Sequence, residues 1–281
     1  MKKIAVVGLG IMGHGIADNY LKSDYEVYVW NRSVEKADDL VGAGAILAES
    51  PRQAVGKADI IFEVTADDES SRDVWLGSDG ILAGASPNNV LITAATLSLD
   101  WVTELAQICN KKDLSFFDMP MTGSRIGAES GQLTLFVGGD EGKLEEIKPD
   151  LEAITAAVKY FGPIGSGTKY KLVLNTLQAI HIAGFGEVLR MARNVGLDET
   201  MVAESLAERP GGVITNISKN SYHNQPNPIT FSIEWITKDL NYAQSMSKDI
   251  DHTLLTDVLK IYKSANESEY SKNDWTQINE I

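Results

Sequence analysis

Gly8, Gly10 and Gly13 spell G-x-G-x-x-G directly after the apolar run Ile4-Ala5-Val6-Val7. An amphipathic stretch, Ile11 to Lys22, follows. Strand, glycine turn and helix start in that order are the context in which this spacing signals dinucleotide binding. Gly8 permits the tight turn, Gly10 lets the backbone approach a pyrophosphate, and Gly13 lets the helix pack on the strand. The helix N-terminus then offers N–H groups and a positive dipole end to phosphates. The candidate cofactor-binding set begins with Gly8, Leu9, Gly10, Ile11, Met12 and Gly13. The competing explanation is a glycine-rich turn with a purely structural role.

The next candidates sit far along the chain. Asp118-Met-Pro-Met-Thr-Gly-Ser-Arg begins at the end of an apolar run, where open α/β sheets place ligands. Thr122 supplies a hydroxyl, Gly123 and Ser124 supply backbone N–H groups, and such a turn can hold a carboxylate; an ordinary strand-end loop is the alternative. Later comes Gly162-x-x-Gly165-x-Gly167-x-x-x-Lys171-x-x-x-Asn175. Lys171 and Asn175 are four residues apart on a predicted helix and share one face. A lysine near a helix N-terminus meets the positive dipole end, which favours its neutral form, as does partial burial. Both move it towards useful proton transfer. Lys169 nearby reads as an ordinary surface lysine.

The cofactor type is read at Asn31-Arg32-Ser33, just past Val29-Trp30. An Asp or Glu at such a strand end would bind the adenosine ribose hydroxyls of NAD. This chain has none there. Arg32 would pair with a 2′-phosphate, and Asn31 and Ser33 could donate to it. NADP is therefore expected ahead of NAD, unless Arg32 is only a solvated residue that tolerates either.

Elements must position these groups. The apolar pattern predicts strands at Ile4–Gly8, Tyr25–Trp30, Ala58–Val64, Asn89–Thr93, Leu114–Asp118, Leu133–Val137 and Val158–Phe161, with helices between, such as Ser33–Val41 and Leu99–Ile108. Strands alternating with helices imply a mostly parallel sheet. The later strands are open to an antiparallel arrangement. After the breaker cluster Gly162–Gly167, β signals vanish. One long helix is expected from Thr168 to about Val195, apolar nearly all round and so buried on several sides. Helices at Asp198–Glu208, Gly212–Asn220, Phe231–Lys248 and His252–Ala265 complete the pattern. The fold class expected is α/β: an N-terminal doubly wound Rossmann domain, residues 1–163, then an all-helical domain, 164–281, linked by the long helix.

Composition sets limits. The chain has 281 residues and a net charge of −14, so nucleic acid and anionic lipid are not expected partners. No apolar run approaches the roughly 20 residues of a membrane span. A strand begins as early as Lys3, so no signal peptide is expected and a cytoplasmic location is the default. Cys109 is the single cysteine and sits in an apolar helical pattern, which reads as core. No metal-ligand cluster is expected. Trp235, His181 and His223 read as structural or surface residues.

These motifs together resemble the β-hydroxyacid dehydrogenases, the family of 3-hydroxyisobutyrate dehydrogenase and its glyoxylate and succinic semialdehyde reductase relatives. The glycine turn matches the family's cofactor motif, Asp118–Gly131 its substrate motif, and Gly162 to Asn175 its catalytic motif; Lys238-Asp239-Leu240 matches a later K-D-L element. Thr122 and Ser124 stand where the family has Ser and Gly, and Thr93-Ala94-Ala95 where relatives often carry Asp and Ser. The resemblance implies hydride transfer between a nicotinamide and a short β-hydroxyacid or its semialdehyde. Lys171 would be the general acid/base and Asn175 would hold the substrate and position Lys171. Thr122, Gly123 and Ser124 would grip a carboxylate, and Thr96, Lys238 and Thr65 would join the cofactor residues. An imine reductase-like enzyme shares this architecture but replaces the lysine, and a silent dinucleotide-binding relative would usually lose it. A homodimer or homotetramer is expected.

Overall fold

The computed structural model describes residues 2–208, 212–221, 224–246 and 253–279. His223, Lys248 and His252, named in the sequence pattern above, lie outside them. The chain divides into two compact units, Met1–Lys171 and Leu172–Ile281.

The first unit runs β1 (Lys3–Val7), α1 (Ile11–Lys22), β2 (Glu26–Trp30), α2 (Asp38–Gly42), β3 (Ile46–Leu47), α3 (Pro51–Val55) and β4 (Ile60–Glu63). It continues with α4 (Asp68–Leu76), α5 (Ile81–Gly84), β5 (Val90–Thr93), α6 (Leu99–Lys111), β6 (Ser115–Asp118), β7 (Met121–Thr122), α7 (Ser124–Glu129), β8 (Leu133–Gly138), α8 (Glu141–Leu151) and β9 (Thr155–Gly162). The nine-stranded sheet has the order β3-β2-β1-β4-β5-β6-β8-β7, with β9 on β8. β1 to β6 pair in parallel. β8 is antiparallel to β6 and β7, and β9 is parallel to β8. The open question about the later strands is thus answered with a reversal at β8. Ile4 to Val7 are fully buried, as a central parallel strand covered on both faces must be. One core layer holds Ile16, Tyr20 and Phe62, the other Trp75, Trp101 and Cys109. Cys109 is core as expected, and burial pushes its thiol up to about 12.

The second unit consists of helices. α9 (Ser166–Asn194) enters it, followed by α10 (Glu199–Ala207), α11 (Gly212–Asn220), α12 (Ile233–Met246) and α13 (Thr253–Asn266). Leu172, Ala179 and Ile182 of α9 pack with Ile236 and Leu240 of α12 and Leu259 and Tyr262 of α13. Asp274 clasps the C-terminal segment: its carboxylate accepts from Thr230 N–H and Oγ1 on one side and from Thr276 N–H and Oγ1 on the other.

The expectation that α9 is buried on several sides is corrected. Val173, Leu177, Val188, Met191 and Val195 are exposed, between 42% and 71%. The helices of this unit cover one side of α9 and leave that apolar stripe open. By length and mean hydropathy alone, 1.3 over 18 residues, α9 would also pass for a membrane span. Its other face is packed against α12 and α13.

Candidate active site

β1 delivers the glycine turn to the C-terminal edge of the sheet, at the point where strand order reverses between β1 and β4. That crevice is where open α/β sheets bind ligands. Gly8 has φ +101, and a Cβ there would lie 2.4 Å from the Val64 carbonyl oxygen. A Cβ on Gly13 would lie 1.9 Å from Gly8 O, so the turn and the helix touch backbone to backbone. At Gly10 a Cβ would meet nothing within 4 Å, so this side of the turn is open to an incoming group. The first intrahelical bond runs from His14 N–H to Gly10 O. The N–H groups of Ile11, Met12 and Gly13 therefore lie at the helix start without helical acceptors. This donor set fits a pyrophosphate.

Asn31 has a more local role than a phosphate donor alone. Its Oδ1 accepts from Leu9 N–H (2.9 Å) and its Nδ2 donates to Ser33 O (2.9 Å). It ties the end of β2 to the glycine turn, while the Leu9 side chain is buried in the core. Arg32 beside it is exposed. Thr65, after β4, gives both its N–H and its hydroxyl to Glu63 Oε1. Thr96 is half-buried in the loop after β5.

The substrate turn and the lysine helix are joined by Asp118, a residue the motif contains but whose task no local pattern reveals. Its carboxylate is fully buried. Oδ1 accepts from Gly165 N–H at 2.6 Å and Oδ2 from Thr168 N–H at 2.7 Å. Asp118 thus caps α9 from 50 residues away. Desolvation pushes its pKa up to about 6, against the pull of those backbone N–H bonds. The first turn of α9 lies hard against the strand ends: a Cβ on Gly167 would sit 2.1 Å from Phe136 O and 2.8 Å from Asp118 O. Lys171 follows one turn later and is half-buried, whereas Lys169 is exposed. Four residues past Asp118, Thr122 ends β7, and Gly123 (φ +133) and Ser124 (φ +55) both turn left-handed. Gly123 and Ser124 are exposed. A serine at φ +55 stores strain of the kind found at functional sites.

In the helical unit Asn175 is buried on α9 and donates its amide to Asp239 Oδ2 at 2.7 Å. The other oxygen, Oδ1, forms an ion pair with Lys238 Nζ at 2.9 Å, outside hydrogen-bond geometry. Lys238 also lies 5.3 Å from the Tyr242 ring centroid. Two of the expected site residues, Asn175 and Lys238, are therefore held by Asp239, which was not among them. Among the described residues no group of histidine, cysteine or carboxylate side chains is arranged to hold a metal.

Known proteins carry the same two modules. Residues 3–162 match the NAD binding domain of 6-phosphogluconate dehydrogenase. Residues 165–281 match the NAD-binding domain of NADP-dependent 3-hydroxyisobutyrate dehydrogenase. The chain belongs to the β-hydroxyacid dehydrogenase family. An uncharacterized oxidoreductase of Shewanella frigidimarina is 32% identical over 86% of this chain and 84% of its own. Cytokine-like nuclear factor N-PAC of Gallus gallus is 30% identical over 99% of this chain but 51% of its own, so this chain spans about half the length of that relative. The solved structure of Psf3 in complex with NADP+ and 2-OPP superposes with a TM-score of 0.88 at 25% identity, covering 99% of each chain. Membership in this family fixes the fold and a nicotinamide dinucleotide as the cofactor class.

Proposed function

We propose that this dehydrogenase-family chain is an NADP(H)-dependent oxidoreductase that interconverts a short β-hydroxyacid and its semialdehyde or keto form. When bound, the nicotinamide supplies or accepts the hydride at the substrate carbon. Lys171 supplies the proton to the carbonyl oxygen in reduction and removes it from the hydroxyl in oxidation. Such proton transfer typically contributes 10²–10⁴-fold. Asn175, fixed by Asp239, holds the substrate and positions Lys171 along the same helix face. Thr122, Gly123 and Ser124 grip the carboxylate; the exposed, left-handed turn at Gly123 and Ser124 supports this. Exposed Arg32 pairs with the 2′-phosphate of NADP.

The observation that carries this reading is the Asp118 clasp, which fixes the start of the Lys171 helix to the strand end leading into the substrate turn. The apolar stripe on α9 supports a homo-oligomer, since a second copy could cover it. A panel of short aldehyde acids, assayed with NADPH and with NADH, tests the proposal. Turnover of at least one, faster with NADPH, is expected. Oxidation of neither cofactor with any member would defeat it.

A further inference from the structure

The end of β4 carries a carboxyl that the proposed mechanism does not use. Glu63 has no exposed surface, and its register partners are Val7, immediately before the glycine turn, and Thr93 at the end of β5. Oε1 accepts from the Thr65 N–H at 3.1 Å and from the Thr65 hydroxyl. Oε2 accepts from Thr93 Oγ1 at 2.5 Å. The Trp75 indole N–H faces the same carboxyl without reaching hydrogen-bond geometry. Desolvation pushes the Glu63 pKa up, while the threonine bonds pull it down. A buried acid is expensive unless its bonds accomplish something.

Those bonds hold one wall of the cofactor crevice. Val64, between Glu63 and Thr65, is the residue whose carbonyl abuts Gly8. A dinucleotide spans such a crevice with one nucleotide half on each side of the switch point. The adenosine side lies over β2, where Arg32 stands, so the nicotinamide side lies over β4 and β5. We propose that Glu63 is a positioning residue for the nicotinamide half of the cofactor, acting through Thr65 and the paired end of β5. The inference rests on the dinucleotide reading of the glycine turn and adds to it a specific residue.

Binding tests it without turnover. Affinities for NADPH and for adenosine 2′,5′-bisphosphate, which lacks the nicotinamide half, are measured by calorimetry on the full chain. Glu63→Leu should weaken NADPH roughly tenfold, the scale of one lost hydrogen bond. It should leave the bisphosphate within about twofold. Glu63→Gln can still accept from Thr65 through its amide oxygen and donate to the Thr93 hydroxyl, so it should recover most of the NADPH affinity. If Glu63→Leu does not fold, Glu63→Asp carries the test, because its shortened carboxyl cannot span both threonines. A NADPH loss of about threefold or more, with the bisphosphate unchanged, is then expected. Equal losses for both ligands, or no loss for NADPH, would overturn the proposal. Wild-type chain that binds neither ligand would instead bring down the dinucleotide reading, and Glu63's role with it.

Discussion

Asp118 makes the acid dependence of this fold a measurable quantity. Its carboxyl is buried at the N-terminus of α9, where ionisation is penalised by desolvation and rewarded by two backbone N–H groups. The balance raises its pKa from 3.8 to about 6. A rise of that size corresponds to ~3 kcal/mol favouring the protonated folded state. The sign follows from linkage: between these pH values the folded chain binds more protons than the unfolded one, so stability falls as pH rises. This contribution is fully present below about pH 4 and gone above about pH 6. Asp118→Asn removes the titration. Near pH 4 the folded carboxyl is protonated and, like the amide, offers one carbonyl oxygen to the two N–H groups. The variant should therefore be close to wild type near pH 4 and, because it does not lose the titrating contribution, more stable than wild type above pH 7. Urea unfolding at several pH values measures the difference, which should change by ~3 kcal/mol across the range. A difference that stays flat with pH would refute this reasoning.

Other consequences are simpler. Ser124→Gly should stabilise the chain by about 1 kcal/mol, because glycine takes a left-handed φ without the side-chain penalty. It should also raise the substrate KM by removing a hydroxyl from the turn; unchanged stability in urea would contradict the strain argument. Arg32→Ser leaves the Asn31 clasp on Leu9 intact and should cut NADPH affinity roughly tenfold relative to NADH. An unaltered ratio would remove Arg32 from the 2′-phosphate. Asp239→Asn should lower kcat more than it raises the NADPH KM, since it loosens Asn175; a fall confined to NADPH binding would place Asp239 with the cofactor alone.

Local pattern made the elements legible wherever chemistry and periodicity coincided. The α1 helix starts at Ile11 and ends at Lys22 as its spacing predicts, because a glycine turn fixes one end and Ser23 and Asp24 the other. The strands that line the crevice are also readable, being continuous apolar runs. The short β3 and β7 leave no periodic trace in two residues each. The small helices α3 and α4 are absent from the pattern for a related reason: their caps, Ser50 and Asp67, define them more than an apolar stripe does. The site divides in the same way. Spacing singles out Gly8, Lys171 and Asn175 as candidates, because each sits in a motif with its neighbours in sequence. Asp118, Glu63 and Asp239 act on partners distant along the chain, and no spacing rule connects them. The setting of Glu63 appears only when β5 places Thr93 opposite it.

The decisive measurement is the turnover of Lys171→Ala with a short aldehyde acid and NADPH, set beside its NADPH affinity. A fall of about 10²-fold or more in kcat, with cofactor binding near wild type, is expected of a lost proton donor. A variant that reduces the substrate within a few-fold of wild type would contradict the assignment of Lys171 as the general acid.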